Sequence, residues 1–189
     1  MIGAELLSSQ TLNVGWLIYI PVLLWAVVRA PWVELFTDNR RQHLLFGTVF
    51  ALFMLWLVRR DFDTGVSYHF IGMTAVTLLL DWPLAIVGGL VAQAGLVLLG
   101  RQDLMAMGVN GTLFILLPVL ITECCAIAVE RAQPRNLFVY IFVSGFFAAA
   151  LSALLCLVLA LTLLWYDERF AMPYWLEDFV GYLWLIIFP

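Results

Sequence analysis

Lysine is absent from this chain of 189 residues, and all nine of its cations are arginine. Only 12% of the residues are charged, against roughly 25% in a soluble domain. That scarcity excludes water as the solvent for most of the surface. The arginines form no run or face of the kind that binds nucleic acid, so a nucleic-acid partner is excluded as well. The three cysteines, Cys124, Cys125 and Cys156, lie inside apolar stretches. There they act as small hydrophobes, and no disulfide framework follows. With two histidines, His43 and His69, one chain cannot build a metal site wholly from imidazoles. GxxxxGK, HExxH, paired CxxC and GxSxG are all missing, which removes the common signatures of nucleotide, zinc-peptidase, redox and hydrolase chemistry. The chain is therefore not expected to be an enzyme.

What is present is hydrocarbon. Hydrophobic residues make up 65% of the chain and the mean hydropathy is +1.03, so we expect an all-α, polytopic transmembrane bundle in one domain, residues 1–189, surrounded by membrane lipids. At about 20 residues per span, six or seven helices fit. Apolar runs cover 12–28, 44–58, 66–80, 84–99, 107–129 and 138–166, and the aromatic segment 174–188 is either a seventh span or an interfacial helix. Arg29, the first basic residue, follows the first apolar run rather than preceding it, so that run is expected to persist as a helix, not as a cleaved signal. Trp16, Tyr19, Trp82, Trp165, Tyr166 and Tyr174 fall near span ends, as an aromatic belt requires. Counted over seven spans, five arginines against four place the amino terminus outside.

Polar residues inside or beside the spans are the candidate functional groups. His43, after Arg40-Arg41-Gln42, reads as a wet residue at a helix mouth. His69 differs, because Gly65, Ser67 and Tyr68 surround it where the 66–80 run enters the membrane. An imidazole there faces a watery cavity more readily than lipid, and it can bind a transition metal or relay protons. Asn110, between Gly108 and Gly111, either caps a helix or fixes a neighbouring loop. Glu123, deep in the fifth run, suits ion or proton handling or an interhelical hydrogen bond. Cys124 and Cys125 point about 100° apart on a helix and do not clamp one metal. Met73, Met105 and Met107 can serve a soft ion such as Cu(I) or simply pack. Ser144, Ala148 and Ser152 form a small-residue stripe, for close helix packing within the chain or for docking a partner subunit.

Three segments taken in order, Gly65-Val-Ser-Tyr-His-Phe-Ile-Gly72, Leu80-Asp-Trp-Pro83 and Met107-Gly-Val-Asn-Gly111, resemble the CbiM/NikM family of substrate-specific membrane subunits of cobalt and nickel energy-coupling-factor transporters. The resemblance is densest over 65–111. It implies a six- or seven-helix bundle in the bacterial inner (cytoplasmic) membrane, with a metal near the outer end, His69 as a ligand, Ser67 in its motif and Asn110 supporting the site. It also implies a partner membrane subunit and ATPase subunits, since this chain has no nucleotide-binding motif. In that family the chain begins Met-His, and the terminal amine, a backbone nitrogen and the second-residue imidazole join the later histidine around the ion. Here the chain begins Met1-Ile2: the Met1 amine survives and the imidazole does not. Glu5, Asp61, Asp63 or a methionine is then left to complete the set. The expected function is uptake of a divalent transition metal, cobalt or nickel before copper. The alternatives are a scaffold or assembly factor that lost the ligands, or a proton-coupled carrier using Glu123 and His69.

Overall fold

A computed structural model describes residues 1–62, 65–132 and 137–167. After a 3-10 turn at Ala4–Leu6, helix α1 spans Ser9–Arg29, its start capped by the Ser8 side chain, which accepts from the Thr11 backbone N–H. A short helix α2 (Trp32–Thr37) follows, as the apolar-aromatic turn of the loop suggests. Helix α3 (Asn39–Leu57) is capped by Asp38. Strands β1 (Arg59–Asp61) and β2 (Ser67–His69) form an antiparallel hairpin, with Arg59 opposite His69 and Asp61 opposite Ser67. Helix α4 covers Met73–Leu98, α5 covers Met107–Ala132, and α6 covers Phe138–Tyr166. Both α5 and α6 contain a π-helical stretch, at Thr112–Leu116 and Ile141–Phe147.

The spans differ from the sequence expectation in number and position. Among the described residues four helices, α1, α4, α5 and α6, are long and apolar enough to cross a membrane, where six or seven were expected. The 66–80 run is not one helix. Its first residues pair as β2, and the helix begins only at Met73. Gly65 and Gly72 take left-handed backbone (φ 81° and 67°), which turns the chain at both ends of the strand. From Met73 to Leu80 the helical arm is about 12 Å long, well short of roughly 30 Å of hydrocarbon. It continues directly into the 84–99 run as α4, broken by a non-helical Asp81 (φ 66°, ψ 158°) ahead of Pro83. The two expected spans are therefore two arms of one bent element. Helix α3 starts earlier than expected, and its first turns carry Arg40, Arg41 and the exposed His43. Arg41 pairs with Glu34 at 2.6 Å, and the His43 ring contacts the Asn39 carbonyl at 2.6 Å. Segment 174–188 lies outside the described residues.

Tyr19, Trp56, Met73, Leu96 and Ile115 are fully buried at the centre, while Leu17, Val28 and Leu98 stand on the outside. That distribution is what a lipid-facing perimeter requires. In hydrocarbon, buried polar groups must find partners within the bundle. The Tyr19 hydroxyl donates to Gln93 Oε1 (3.3 Å), and Gln93 Nε2 donates to the Met107 carbonyl (3.1 Å). Thr122 donates to Thr74 at 3.1 Å. The stripe of Ser144, Ala148 and Ser152 is buried, with Ser152 bordering an apolar cavity described below.

Helices α1 and α5 cross closest at glycine. A β-carbon at Gly108 would fall 2.7 Å from the backbone nitrogen of Trp16 and 2.8 Å from its ring. Gly108→Ala should therefore destabilise the detergent-solubilised protein by about 1–3 kcal/mol, the usual cost of overpacking. Gly47→Ala, where nothing lies within 4 Å, should cause no loss. Unfolding midpoints of the two variants check this, and equal midpoints would show that the crossing relaxes freely.

Candidate metal centre

The amino terminus is woven into the hairpin end of the bundle. Ile2 bridges Val66 in antiparallel fashion. The Ser67 N–H donates to the Met1 carbonyl (2.8 Å), the Gly3 N–H donates to the Gly65 carbonyl (2.9 Å), and the terminal amine donates to the Ser67 carbonyl. Asn110 clamps the segment from the other side. Its Oδ1 accepts from the Ile2 N–H and its Nδ2 donates to the Ile2 carbonyl, both at 2.9 Å, with the asparagine wholly buried. Of the two roles open to Asn110, fixing a neighbouring segment is the one observed. The apolar flank is sealed by Ile2, Leu6 and Leu7 against Val109, Leu113 and Leu164.

His69, at the end of β2, is 5% exposed. Its ring is set edge-on to Trp56 and Phe114, with centroids at 5.6 and 5.3 Å. This corrects the expectation of a histidine in the first turn of a helix facing water: the imidazole sits on a strand in aromatic surroundings. Nδ1 lies 3.0 Å from the Phe70 carbonyl. A carbonyl only accepts, so Nδ1 carries the proton and Nε2 keeps a bare lone pair. That Nε2 is buried with no hydrogen-bond partner. Burial holds the imidazole well below its usual pKa, and the nearby terminal amine adds to the effect. The amine itself is lowered to about 5, first by burial and then by Arg59. Near neutral pH both groups are thus uncharged nitrogen bases, the form in which nitrogen binds a metal.

Two cavities meet at this point. One, of about 680 Å³, is almost wholly apolar and includes His69, Phe114, Phe142, Ser152 and Cys156 in its wall. The other, of about 230 Å³, is a polar vestibule bounded by Glu5, Arg59, Asp61, Arg101, Gln102 and Asp103. Met1, Ile2 and Ser67 line both, so the terminal segment is the partition between them.

The remaining candidates fall as follows. Asp61 borders the vestibule and is ion-paired, with Arg59 Nε at 2.8 Å and Arg101 Nη1 at 3.9 Å. Ser67 takes part through its backbone. Asp63 lies outside the described residues. Glu123 follows Asn110 by thirteen positions, about 20 Å along α5 at 1.5 Å per residue, and it borders neither cavity. Among the described residues no three His, Cys, Asp or Glu side chains gather as a metal site. The nitrogen donors here are one imidazole and the end of the main chain. Sequence reading missed the strand-like insertion of Met1–Gly3, whose only local signal is the flanking glycines Gly3 and Gly65. It also missed Arg59 and Gln102 as vestibule residues.

Membrane-length helices closed at one end by a threaded amino terminus define a multi-pass membrane protein. The model of the CbiM family, the cobalt uptake substrate-specific transmembrane region, matches residues 2–189, and the chain belongs to that family. Two crystal structures of transition metal transporters, one of them truncated, share the fold. The truncated one is 18% identical with a TM-score of 0.65, covering 82% of this chain and 71% of its own. The other is 18% identical with a TM-score of 0.63, covering 82% and 67%. Comparison with curated proteins gives no match.

Removing the Asn110 amide would leave both Ile2 backbone groups unpaired, at about 1–3 kcal/mol each. Asn110→Ala should therefore speed hydrogen exchange over Met1–Leu7 by tenfold or more. Mass spectrometry of that peptide reads the rate, and an unchanged rate would mean that the strand pairing alone holds the terminus.

Proposed function

We propose that this chain is the membrane subunit of a transporter that takes up a divalent transition-metal ion, held by the Met1 amine and His69 Nε2. The observation that carries the reading is the buried, uncharged imidazole whose Nε2 has no partner, set beside a terminal amine in the same uncharged state. An unpaired buried lone pair is costly in a folded protein unless something occupies it. Nitrogen donors suit Co(II) and Ni(II), whereas a soft-ion site for Cu(I) would need sulfur. Ser67 and Asn110 orient the amine through the backbone, the outer-shell role that tunes affinity. The ion enters from the vestibule side, with the amino terminus on the outer face of the bacterial inner membrane. Partner ATPase subunits and a partner membrane subunit supply the energy, since the sequence has no nucleotide-binding motif. The competing scaffold reading draws on Ile2, which is 3% exposed and packs as a hydrophobe where a ligand is expected.

Purified full-length protein should bind Ni(II) or Co(II) in equilibrium dialysis. His69→Ala should weaken that binding by about 100-fold or more, exceeding the 10–100-fold of outer-shell changes such as Asn110→Ala. A glycine added ahead of Met1 should do the same, because it moves the primary amine out of the partition. Binding indifferent to both changes, or none at all in the wild type, would leave the scaffold reading in place.

A further inference from the structure

The apolar cavity of about 680 Å³ is a groove between helices. Leu55 of α3 and Ala75 and Leu78 of α4 line it on one side, and α6 lines it from Ile141 to Leu164. Leu78, Phe142 and Phe146 of this lining are exposed, so the groove opens on the surface of the described bundle. The α6 side is built of small residues. Gly145, Ala149, Ala153, Cys156 and Ala160 all border the groove, at intervals of three or four that place them on one helix face. Small residues in line let a second helix approach closely, and close packing is what drives helices together in lipid. Among the described residues nothing takes that place: a β-carbon at Gly145 would meet no atom within 4 Å.

The chain itself leads to this groove. Asp167, just past α6, accepts from the Ser8 N–H (2.8 Å) and from the Thr11 hydroxyl (2.9 Å), and Leu164, one turn earlier, borders the groove. The chain is therefore released beside one end of the opening. Residues 168–189 follow, and 174–188 form an apolar, aromatic run. The intervening stretch 168–173 falls within the about 2–8 residues that join antiparallel neighbours in helical bundles. As a helix, 174–188 would measure about 22 Å, against about 35 Å of α6 between Ile141 and Leu164. Glu177 and Asp178 would then fall in its first turn, at the wet end, where acidic side chains complement the helix dipole.

We propose that segment 174–188 lies in this groove as a helix antiparallel to α6, seated on Ala149, Ala153 and Ala160. Gly181, in the middle of the segment, lets the two backbones come close. The segment closes the cavity that His69 borders and shuts it off from the acyl chains. Its position does not depend on whether a metal binds.

The test is disulfide trapping in the full-length protein, in membranes and without metal, after Cys124→Ser, Cys125→Ser and Cys156→Ala have removed the native thiols. An antiparallel helix that starts level with Leu164 brings Leu185 level with Ala153. Ala153→Cys is therefore paired in turn with Leu183→Cys, Trp184→Cys, Leu185→Cys and Ile186→Cys, four positions that cover one full turn. Leu151→Cys, on the far face of α6 and 44% exposed, is the control. One of the four pairs should form a disulfide within the chain at fivefold or higher yield than its Leu151→Cys counterpart, read by peptide mass spectrometry. Ala160→Cys paired with Asp178→Cys, Phe179→Cys, Val180→Cys and Gly181→Cys carries the test if Ala153→Cys does not fold. Disulfides that join two chains would make the groove an interface between copies and overturn the proposal. Yields no higher than the control at every pair would overturn it too, leaving the groove to lipid or to a partner subunit.

Discussion

One amide holds the hairpin end of this molecule together. Asn110 presents an acceptor and a donor to the two backbone groups of Ile2, completing in a single side chain what a neighbouring strand would otherwise supply. A charged or flexible side chain could not do this in a wholly buried position without leaving a group unsatisfied. Everything at that end inherits its position from the clamp. The amine is carried inside the protein, the hairpin gains an extra strand, and a polar space is walled off from an apolar one.

The bundle treats its polar atoms in two ways. Tyr19, Gln93, Thr74 and Thr122 are paired within the chain. Of the buried side-chain atoms without partners among the described residues, those of Arg59, His69, Gln102 and Ser152 border one of the two cavities, and only Ser144 does not. Low dielectric makes an unpaired group expensive. Among the described residues, these unpartnered groups are concentrated around the two cavities.

Much of this was legible in the residues. Hydropathy alone located α1, α5 and α6 within a few positions, because lipid imposes one length and one composition on any helix that crosses it. The Gly-x-Ser-x-His and Asn110 motifs named two of the groups that meet at the terminus. The 66–80 run deceived for a physical reason: β-branched and aromatic residues read as apolar whether they line a helix or a strand, and only Gly65 and Gly72 marked the difference. The bent α4 was hidden because Asp81-Trp82-Pro83 looks alike whether it ends one helix and begins another or breaks a single helix. Arg59 escaped notice because a basic pair after a span usually marks the water boundary, and its burial depends on Asp61 and on a segment some sixty residues away in sequence. Such long-range partners leave no local trace.

The threaded terminus also fixes an order of assembly. Ile2 bonds to Asn110 across 108 positions, and its neighbours bond to a hairpin that itself follows three helices. The Asn110 half of the clamp is missing until the front of α5 has been made and inserted. Met1 and Ile2 must wait beside the growing bundle and dock when the chain closes on itself, a slow kind of contact because the intervening loop entropy is lost before any bond repays it. Sealing of this end is thus a late event, and a nascent bundle remains open at the very place where the finished one is closed.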